Sequence, residues 1–193
     1  MSKIIEIEKR VMLNKEQYLN LFHYASSYKN RREITLINYY FDDEDLSLRN
    51  AHHMLRIRSI NNDEYELTLK VKGDNGDLEI NEPINKIDVD KMLKNLVINN
   101  KEITNIIKKD TSKEIKYITS LKTERIEIVF DNYLFVLDKN YYSDVIDYDL
   151  EIESNDIKVA EVTIKKYCSE FHLQYSSSYK SKSRRAINKA LNI

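Results

Sequence analysis

The sequence predicts an α+β, mainly β fold: about eight antiparallel strands closing into a barrel, or tunnel, with flanking helices. Three observations predict it. Strand-like runs with period-two alternation follow one another along the chain. Most connections between them are too short for parallel crossovers, which need a dozen residues or more. The alternating face of several runs carries charge sorted by sign, and such a face cannot form a dry core.

The elements follow in order. Residues 4–12 (IIEIEKRVM) alternate as a strand. Asn14 then reads as a helix N-cap, with Gln17 three residues on completing a variant capping box. Tyr18, Leu21, Phe22, Ala25 and Tyr28 recur behind it at helical spacing. Four strand-like runs come next: 34–41, 53–60, 64–72 and 77–84. Asn61-Asn62-Asp63 and Gly73-Asp74-Asn75-Gly76 punctuate them, and Pro83 marks an edge or a strand end.

A second helical pattern opens at Asp88 and runs through Val89, Met92, Leu93, Leu96 and Val97. A short third holds Ile103, Ile106 and Ile107. Three more strands fall at 115–130, 133–139 and 145–153, with Asp131-Asn132 as a tight turn. Residues 156–171 form an apolar-faced helix, and a last short helix surrounds Ala186, Ile187, Ala190 and Leu191. No Gly/Ser linker, repeat or low-complexity block divides the chain, so residues 1–193 are expected to form a single domain.

Composition narrows the function classes. The chain has 193 residues, with 31 Lys+Arg against 32 Asp+Glu and a net charge of −1. That balance gives no global field for nucleic acid or an anionic membrane, so electrostatic function must come from local segregation of sign. The one cysteine, Cys168, excludes an intrachain disulfide and a Cys-based metal site. The four histidines, at 23, 52, 53 and 172, lack the i, i+4 spacing of a helical zinc site. No 18-residue apolar run and no N-terminal apolar region is present, so a cytoplasmic protein is expected. Two glycines are too few for a Gly-rich phosphate loop. Any phosphate must be bound by side chains.

Side chains alternate faces along a strand. Glu6, Glu8 and Arg10 share one face of the first strand, and Arg56 and Arg58 share one face of LRIR. Glu66, Thr68, Lys70 and Lys72 align in EYELTLKVK; Asp147, Asp149, Glu151 and Glu153 align in DYDLEIE. One such strand is compatible with a sheet having a solvated face. Several strands sorted by sign are not, because adjacent carboxylates repel unless a cation sits between them. Closed into a barrel, these faces would line a wet channel with acids for a metal and bases for an anion. Oxygen donors at two-residue spacing suit Mg²⁺ or Mn²⁺, one ion or two. Arg offers a planar fork for phosphate oxygens and Lys a mobile point charge.

These residues resemble the CYTH domain, the triphosphate tunnel metalloenzyme superfamily, over nearly the whole chain. The resemblance is carried by the ExExK pattern at Glu6-Ile7-Glu8-Lys9-Arg10, NYYFD at 38–42, LRIR at 55–58 and ELTLK at 66–70. TER at 123–125, LDK at 137–139, DLEIE at 149–153 and SKSRRA at 181–186 complete it. It implies an eight-stranded tunnel with catalysis inside. It assigns Glu6, Glu8, Asp138, Glu151 and Glu153 as metal ligands, and Arg56, Arg58, Lys70, Arg125 and Lys182 as triphosphate-binding bases. Lys72, Lys180, Arg185, Glu66 and Glu79 are further tunnel residues. Glu6, Glu8 and Arg10 are the catalytic candidates. Arg10 departs from the pattern, since it stands where the motif has Lys, keeping the charge but changing its geometry.

The resemblance implies metal-dependent hydrolysis of a small-molecule triphosphate: inorganic tripolyphosphate, thiamine triphosphate or a nucleoside triphosphate. Two alternatives stay open: a class IV adenylate cyclase, and a non-catalytic sensor of a polyphosphate or nucleotide. No nucleic acid or membrane partner is expected, and the protein is expected to be a monomer or homodimer.

Overall fold

The computed structural model describes residues 1–74, 76–176 and 180–193. Nine strands and six helices are present among them: β1 (Ser2–Glu6), β2 (Glu8–Leu13), α1 (Lys15–Ser26), β3 (Arg32–Asp42), α2 (Ser47–Asn50), β4 (His53–Ile60), β5 (Glu64–Val71), β6 (Asp77–Ile84), α3 (Lys86–Lys94), α4 (Lys101–Asp110), β7 (Lys116–Val129), β8 (Leu134–Tyr142), β9 (Val145–Glu153), α5 (Ile157–Glu170) and α6 (Lys182–Leu191). The pairs β2–β9, β3–β4, β4–β5, β5–β6, β7–β8 and β8–β9 are antiparallel, and the mainly β character matches the sequence expectation. None of the helices is long and apolar enough to cross a membrane.

The chain divides into two compact units. The first contains Met1–Ile5, Leu36–Leu121 and Lys182–Ile193; the second contains Glu6–Thr35 and Lys122–Ser181.

In the first unit the strands run in the order β1-β6-β5-β4-β3. Phe41, Leu55, Ile57, Leu67, Leu69 and Ile80 fill its core with Val89 and Met92 of α3 and Ile103 and Ile107 of α4. The register sets Tyr40 opposite Arg56, Arg56 opposite Thr68, and Thr68 opposite Asn81. A polar row therefore crosses four strands. Asn61 (φ 51°) and Asn62 (φ 62°) make the β4–β5 turn in the left-handed region, which Asn tolerates better than most residues.

In the second unit the order is β7-β8-β9-β2. Helices α1 and α5 supply Leu21, Ala25, Ala160, Ile164 and Tyr167 to a core containing Val11, Ile126, Ile128, Phe135, Leu137, Leu150 and Ile152. The capping box forms as the sequence predicts: Asn14 accepts from the Gln17 amide (2.9 Å), and Gln17 accepts from the Asn14 amide (3.0 Å). Across Asp131-Asn132 the Phe130 amide donates to the Tyr133 carbonyl (2.9 Å), closing the β7–β8 hairpin.

Three details differ from the sequence reading. The first strand is two: Ile7 interrupts it, β1 lies beside β6 and β2 pairs with β9, and the Ile7 carbonyl accepts the Ser154 amide (3.0 Å). Helix α3 starts two residues before Asp88 because Asn85, not Asp88, is its N-cap and accepts the Asp88 amide (2.9 Å). The single-turn α2 has no apolar periodicity to announce it. It is held by Asp42, whose carboxylate accepts from the Leu48 (3.0 Å) and Arg49 (2.9 Å) amides.

Candidate active site

Register alone assembles an acidic face in the second unit. Glu8 lies opposite Glu153 and Arg10 opposite Glu151 across β2–β9. Asp138 lies opposite Asp149 across β8–β9, and Arg125 opposite Asp138 across β7–β8. Period-two alternation then points all of these side chains to the same side of the sheet, away from its apolar core.

Two guanidinium groups organise this face. Arg125 grips Asp138 with both arms of its fork, Nε donating to Oδ1 (2.9 Å) and Nη2 to Oδ2 (2.8 Å). Its Nη2 also donates to Glu151 Oε2 (3.2 Å), and its Nη1 lies 3.8 Å from Glu153 Oε1. Arg10 donates from Nη2 to Glu8 Oε1 (2.9 Å) and from Nε to Glu151 Oε1. Asp138 and Asp149 are fully buried, and Glu151 is 1% exposed. Burial works against the charge of both arginines, yet the surrounding carboxylates hold them firmly protonated.

Glu6, Glu8 and Glu153 form a different arrangement. One oxygen from each lies within 4.8 Å of the others, among half-buried side chains. Burial, opposed by Arg125 and reinforced by the charges of Glu151, Glu6 and Glu8, pushes the Glu153 carboxyl from its ordinary 4.5 up to about 8. Three hard oxygen donors brought this close fit a divalent ion of the Mg²⁺/Mn²⁺ type.

The first unit gathers the bases. Arg58 donates from Nε to Asn38 Oδ1 (2.9 Å) and lies 3.9 Å from Glu66. Arg56, 7% exposed, reaches Glu79 at 3.7 Å; Lys70 reaches Asp77 at 3.4 Å and Glu79 at 3.7 Å. Burial alone would raise Glu79, but Arg56, Lys70 and Arg58 outweigh it and hold the carboxyl below its ordinary value. Arg56, Arg58, Lys182 and Arg185 all act on the buried Tyr40, whose hydroxyl burial pushes up against their opposition. Lys182 and Arg185 stand at the start of α6. Arg56 Nε and Thr68 Oγ1 are buried without a hydrogen-bond partner, a donor and a hydroxyl that suit oxygen ligands.

The residues expected from sequence therefore separate by unit. Glu6, Glu8, Arg10, Arg125, Asp138, Glu151 and Glu153 belong to the second; in the first, Arg56, Arg58 and Lys70 surround Glu79, and Lys182 and Arg185 belong to the same unit. Asp138 and Glu151, expected as metal ligands, offer their oxygens to arginines, and the three-carboxylate group does not include them. Lys72 lies exposed just beyond β5, and Lys180 is exposed ahead of α6.

Asn140 joins the hydrogen bonding of this acidic face, which the sequence reading did not anticipate. It donates to Asp149 Oδ2 (2.7 Å) and Asp147 Oδ1 (3.0 Å), and accepts from Thr123 (2.8 Å). Its position two residues after Asp138 was the available signal. Glu127 also joins, 3.6 Å from Arg125 Nη1.

Comparison with known proteins agrees with this geometry. Residues 4–187 match the family model described as the CYTH domain. A Bacillus subtilis (strain 168) protein named "Putative triphosphatase YjbK" is 32% identical over 178 residues, covering 90% of each chain. A crystal structure from Bacillus halodurans, described as a "putative adenylate cyclase", superposes with a TM-score of 0.85 at 26% identity, covering 96% of this chain and 98% of that one. HpAC1 from Hippeastrum superposes with a TM-score of 0.77 at 19% identity over 93% of this chain and 94% of that one, a likeness of fold. The strand order, the sorted acidic and basic faces and the match from residue 4 to residue 187 together make this chain a member of the CYTH domain family.

Proposed function

We propose that this protein hydrolyses a linear triphosphate with the help of a divalent cation, Mg²⁺ or Mn²⁺, residues 4–187 acting as one functional domain. The observation that supports it most is the segregation of charge. One unit gathers the carboxylates of Glu6, Glu8 and Glu153, and the other carries Arg56, Arg58, Lys70, Lys182 and Arg185. The similarity to the Bacillus subtilis protein, whose name assigns it as a triphosphatase, points the same way.

Each group then has a task that its chemistry suits. Glu6, Glu8 and Glu153 hold the cation, which when bound would polarise phosphate oxygens and acidify a water. Arg56 and Arg58 present planar donor forks to phosphate oxygens, and Lys70 and Lys182 add mobile ammonium groups. Glu79 Oε1 lies 3.7 Å from both Arg56 and Lys70 and so restrains the two bases before substrate arrives, so little order must be created on binding. Positive groups fixed in advance stabilise charge developing on the leaving diphosphate without reorganising. Arg125 and Arg10 keep the remaining acids compensated, so the face does not repel an anionic substrate as strongly as its carboxylate count suggests.

A cyclase reading has one observation in its favour, the resemblance to the Bacillus halodurans protein. The test is an assay with tripolyphosphate, ATP and thiamine triphosphate, with Mg²⁺ or Mn²⁺, that resolves phosphate, diphosphate and cyclic AMP. Metal-dependent phosphate release supports the hydrolase. Cyclic AMP with diphosphate establishes the cyclase. Tight triphosphate binding without turnover in either metal contradicts both and leaves a sensor.

A further inference from the structure

Asn140 is uncharged and wholly buried among the acids of the second unit. Register sets it opposite Thr123 on β7 and opposite Asp147 on β9. Those neighbours fix which way its amide points. Nδ2 donates to Asp149 Oδ2 (2.7 Å) and to Asp147 Oδ1 (3.0 Å), while Oδ1 accepts from the Thr123 hydroxyl (2.8 Å). The reverse orientation would turn a carbonyl oxygen toward two carboxylates, which have no proton to give it.

Asp149, also wholly buried, stands between this amide and Arg10. Its Oδ2 accepts from Asn140, and its Oδ1 lies 3.9 Å from Arg10 Nε, beyond hydrogen-bonding distance. The Arg10 donors are directed elsewhere: Nη2 to Glu8 Oε1 (2.9 Å) and Nε to Glu151 Oε1. Asp149 still acts on Arg10 as a charge. Burial works against the guanidinium, and Glu151, Glu8 and Asp149 together outweigh it.

We propose that Asn140 is a positioning residue for Arg10: by donating to Asp149 it keeps that carboxylate from drawing the guanidinium away from Glu8 and Glu151. A buried acceptor that loses a donor is costly, so it takes another within reach. For Asp149 such a donor is Arg10 Nε, and closing the 3.9 Å gap means releasing Glu151. Thr123 serves the same end one step back, since its hydroxyl holds the amide in the orientation that faces the acids. Asp147 has a second donor in Tyr142 (2.5 Å) and shows no ion pair to Arg10, so it is not part of this relay.

The kinetic test rests on the hydrolase reading above; a spectroscopic one does not. With tripolyphosphate and saturating Mn²⁺, Asn140→Ala is expected to lower kcat at least about tenfold with KM little changed. Against an Arg10→Lys background, which has no Nε to be drawn off, the same change should cost less than about threefold. Equal losses in the two backgrounds mean that Asn140 merely supports the fold, and an undiminished kcat in Asn140→Ala overturns the proposal as well. Tyr142→Phe, which removes a donor to Asp147 only, should leave kcat unchanged; a loss matching that of Asn140→Ala contradicts the relay.

Nuclear magnetic resonance of the Arg10 Nε–H group, assigned by its disappearance in Arg10→Lys, reads the geometry directly. The signal should be sharp and protected from exchange in the wild type and shifted or broadened in Asn140→Ala. An unaltered signal overturns the proposal whatever the activity. Should Asn140→Ala not fold, Thr123→Val is expected to move the same signal in the same direction, and its failure to do so is equally decisive. A wild type without phosphate release sinks the hydrolase reading and leaves the resonance to decide this one.

Discussion

Arg125 and Asp138 lie directly opposite each other on β7 and β8 and form a two-pronged ion pair, at 2.9 and 2.8 Å, in which the carboxylate is wholly buried. Both oxygens of Asp138 accept from this guanidinium, which also lies 3.2 Å from Glu151 and 3.8 Å from Glu153.

Breaking that pair leaves a buried guanidinium with one partner fewer. Removing one member of a buried ion pair costs about 3–5 kcal/mol. For a chain of this size each kcal/mol lowers Tm by roughly 2–4 °C. Asp138→Asn should therefore lower Tm by roughly 10 °C in thermal denaturation, while weakening Mn²⁺ binding far less than Glu153→Gln does. The opposite ranking would return Asp138 to the ligand set.

The Glu153 carboxyl predicts how metal binding and stability depend on pH. Burial first, then the neighbouring acids against Arg125, raises it from 4.5 to about 8 in the folded chain. Between those values the folded, metal-free protein holds a proton that the unfolded chain has released, so its stability falls as pH rises from about 4.5 to 8. Metal binding needs the carboxylate and so expels that proton. Mn²⁺ affinity should rise by up to about tenfold per pH unit from 6 to 8 and level off above. Calorimetry at pH 7 in buffers of different ionisation enthalpy should show close to one proton released per ion.

The two charge groups should be separable by mutation. Arg56→Ala and Lys70→Ala should each raise KM for a triphosphate at least about tenfold, the scale of one lost charge-assisted contact. Neither should change Mn²⁺ affinity, because neither belongs to the Glu6, Glu8 and Glu153 group. A matching loss of metal binding in these variants would show that the roles are not divided in this way.

A control lies in the capping box of α1. Asn14→Ala removes the acceptor for the Gln17 amide and should cost about 1 kcal/mol, a fall in Tm of roughly 2–4 °C, with kcat unchanged.

Much of this was legible in the sequence because charge and periodicity reinforced each other. The strands at 53–60, 77–84 and 145–153 were read with the ends they have, since alternation stops where Asn, Gly or Ser begins. Arg56 and Arg58 fall two apart on one strand, as parity reads them, whereas the break at Ile7 puts Glu6 and Glu8 on different strands. What parity cannot supply is who pairs with whom. Register sets Arg125 opposite Asp138 and Arg10 opposite Glu151, ion pairs that no single strand announces. Asn140 and Thr123 escaped notice because an uncharged polar residue on a strand carries no sign to sort. Helix α2 was hidden for another reason: its stability comes from Asp42 carboxylate bonds to backbone amides, not from a periodic apolar face.

The central claim is that the Glu6, Glu8 and Glu153 carboxylates make this protein a metal-dependent triphosphate hydrolase. Phosphate release from tripolyphosphate by the wild type and Glu153→Gln, each with saturating Mn²⁺ and each with chelator, tests it most directly. The account predicts rapid release by the wild type with Mn²⁺ and a loss of at least about a hundredfold, near 2.7 kcal/mol of transition-state stabilisation, in both the variant and the chelated enzyme. Equal rates with Mn²⁺ and with chelator, or an undiminished Glu153→Gln, would contradict it.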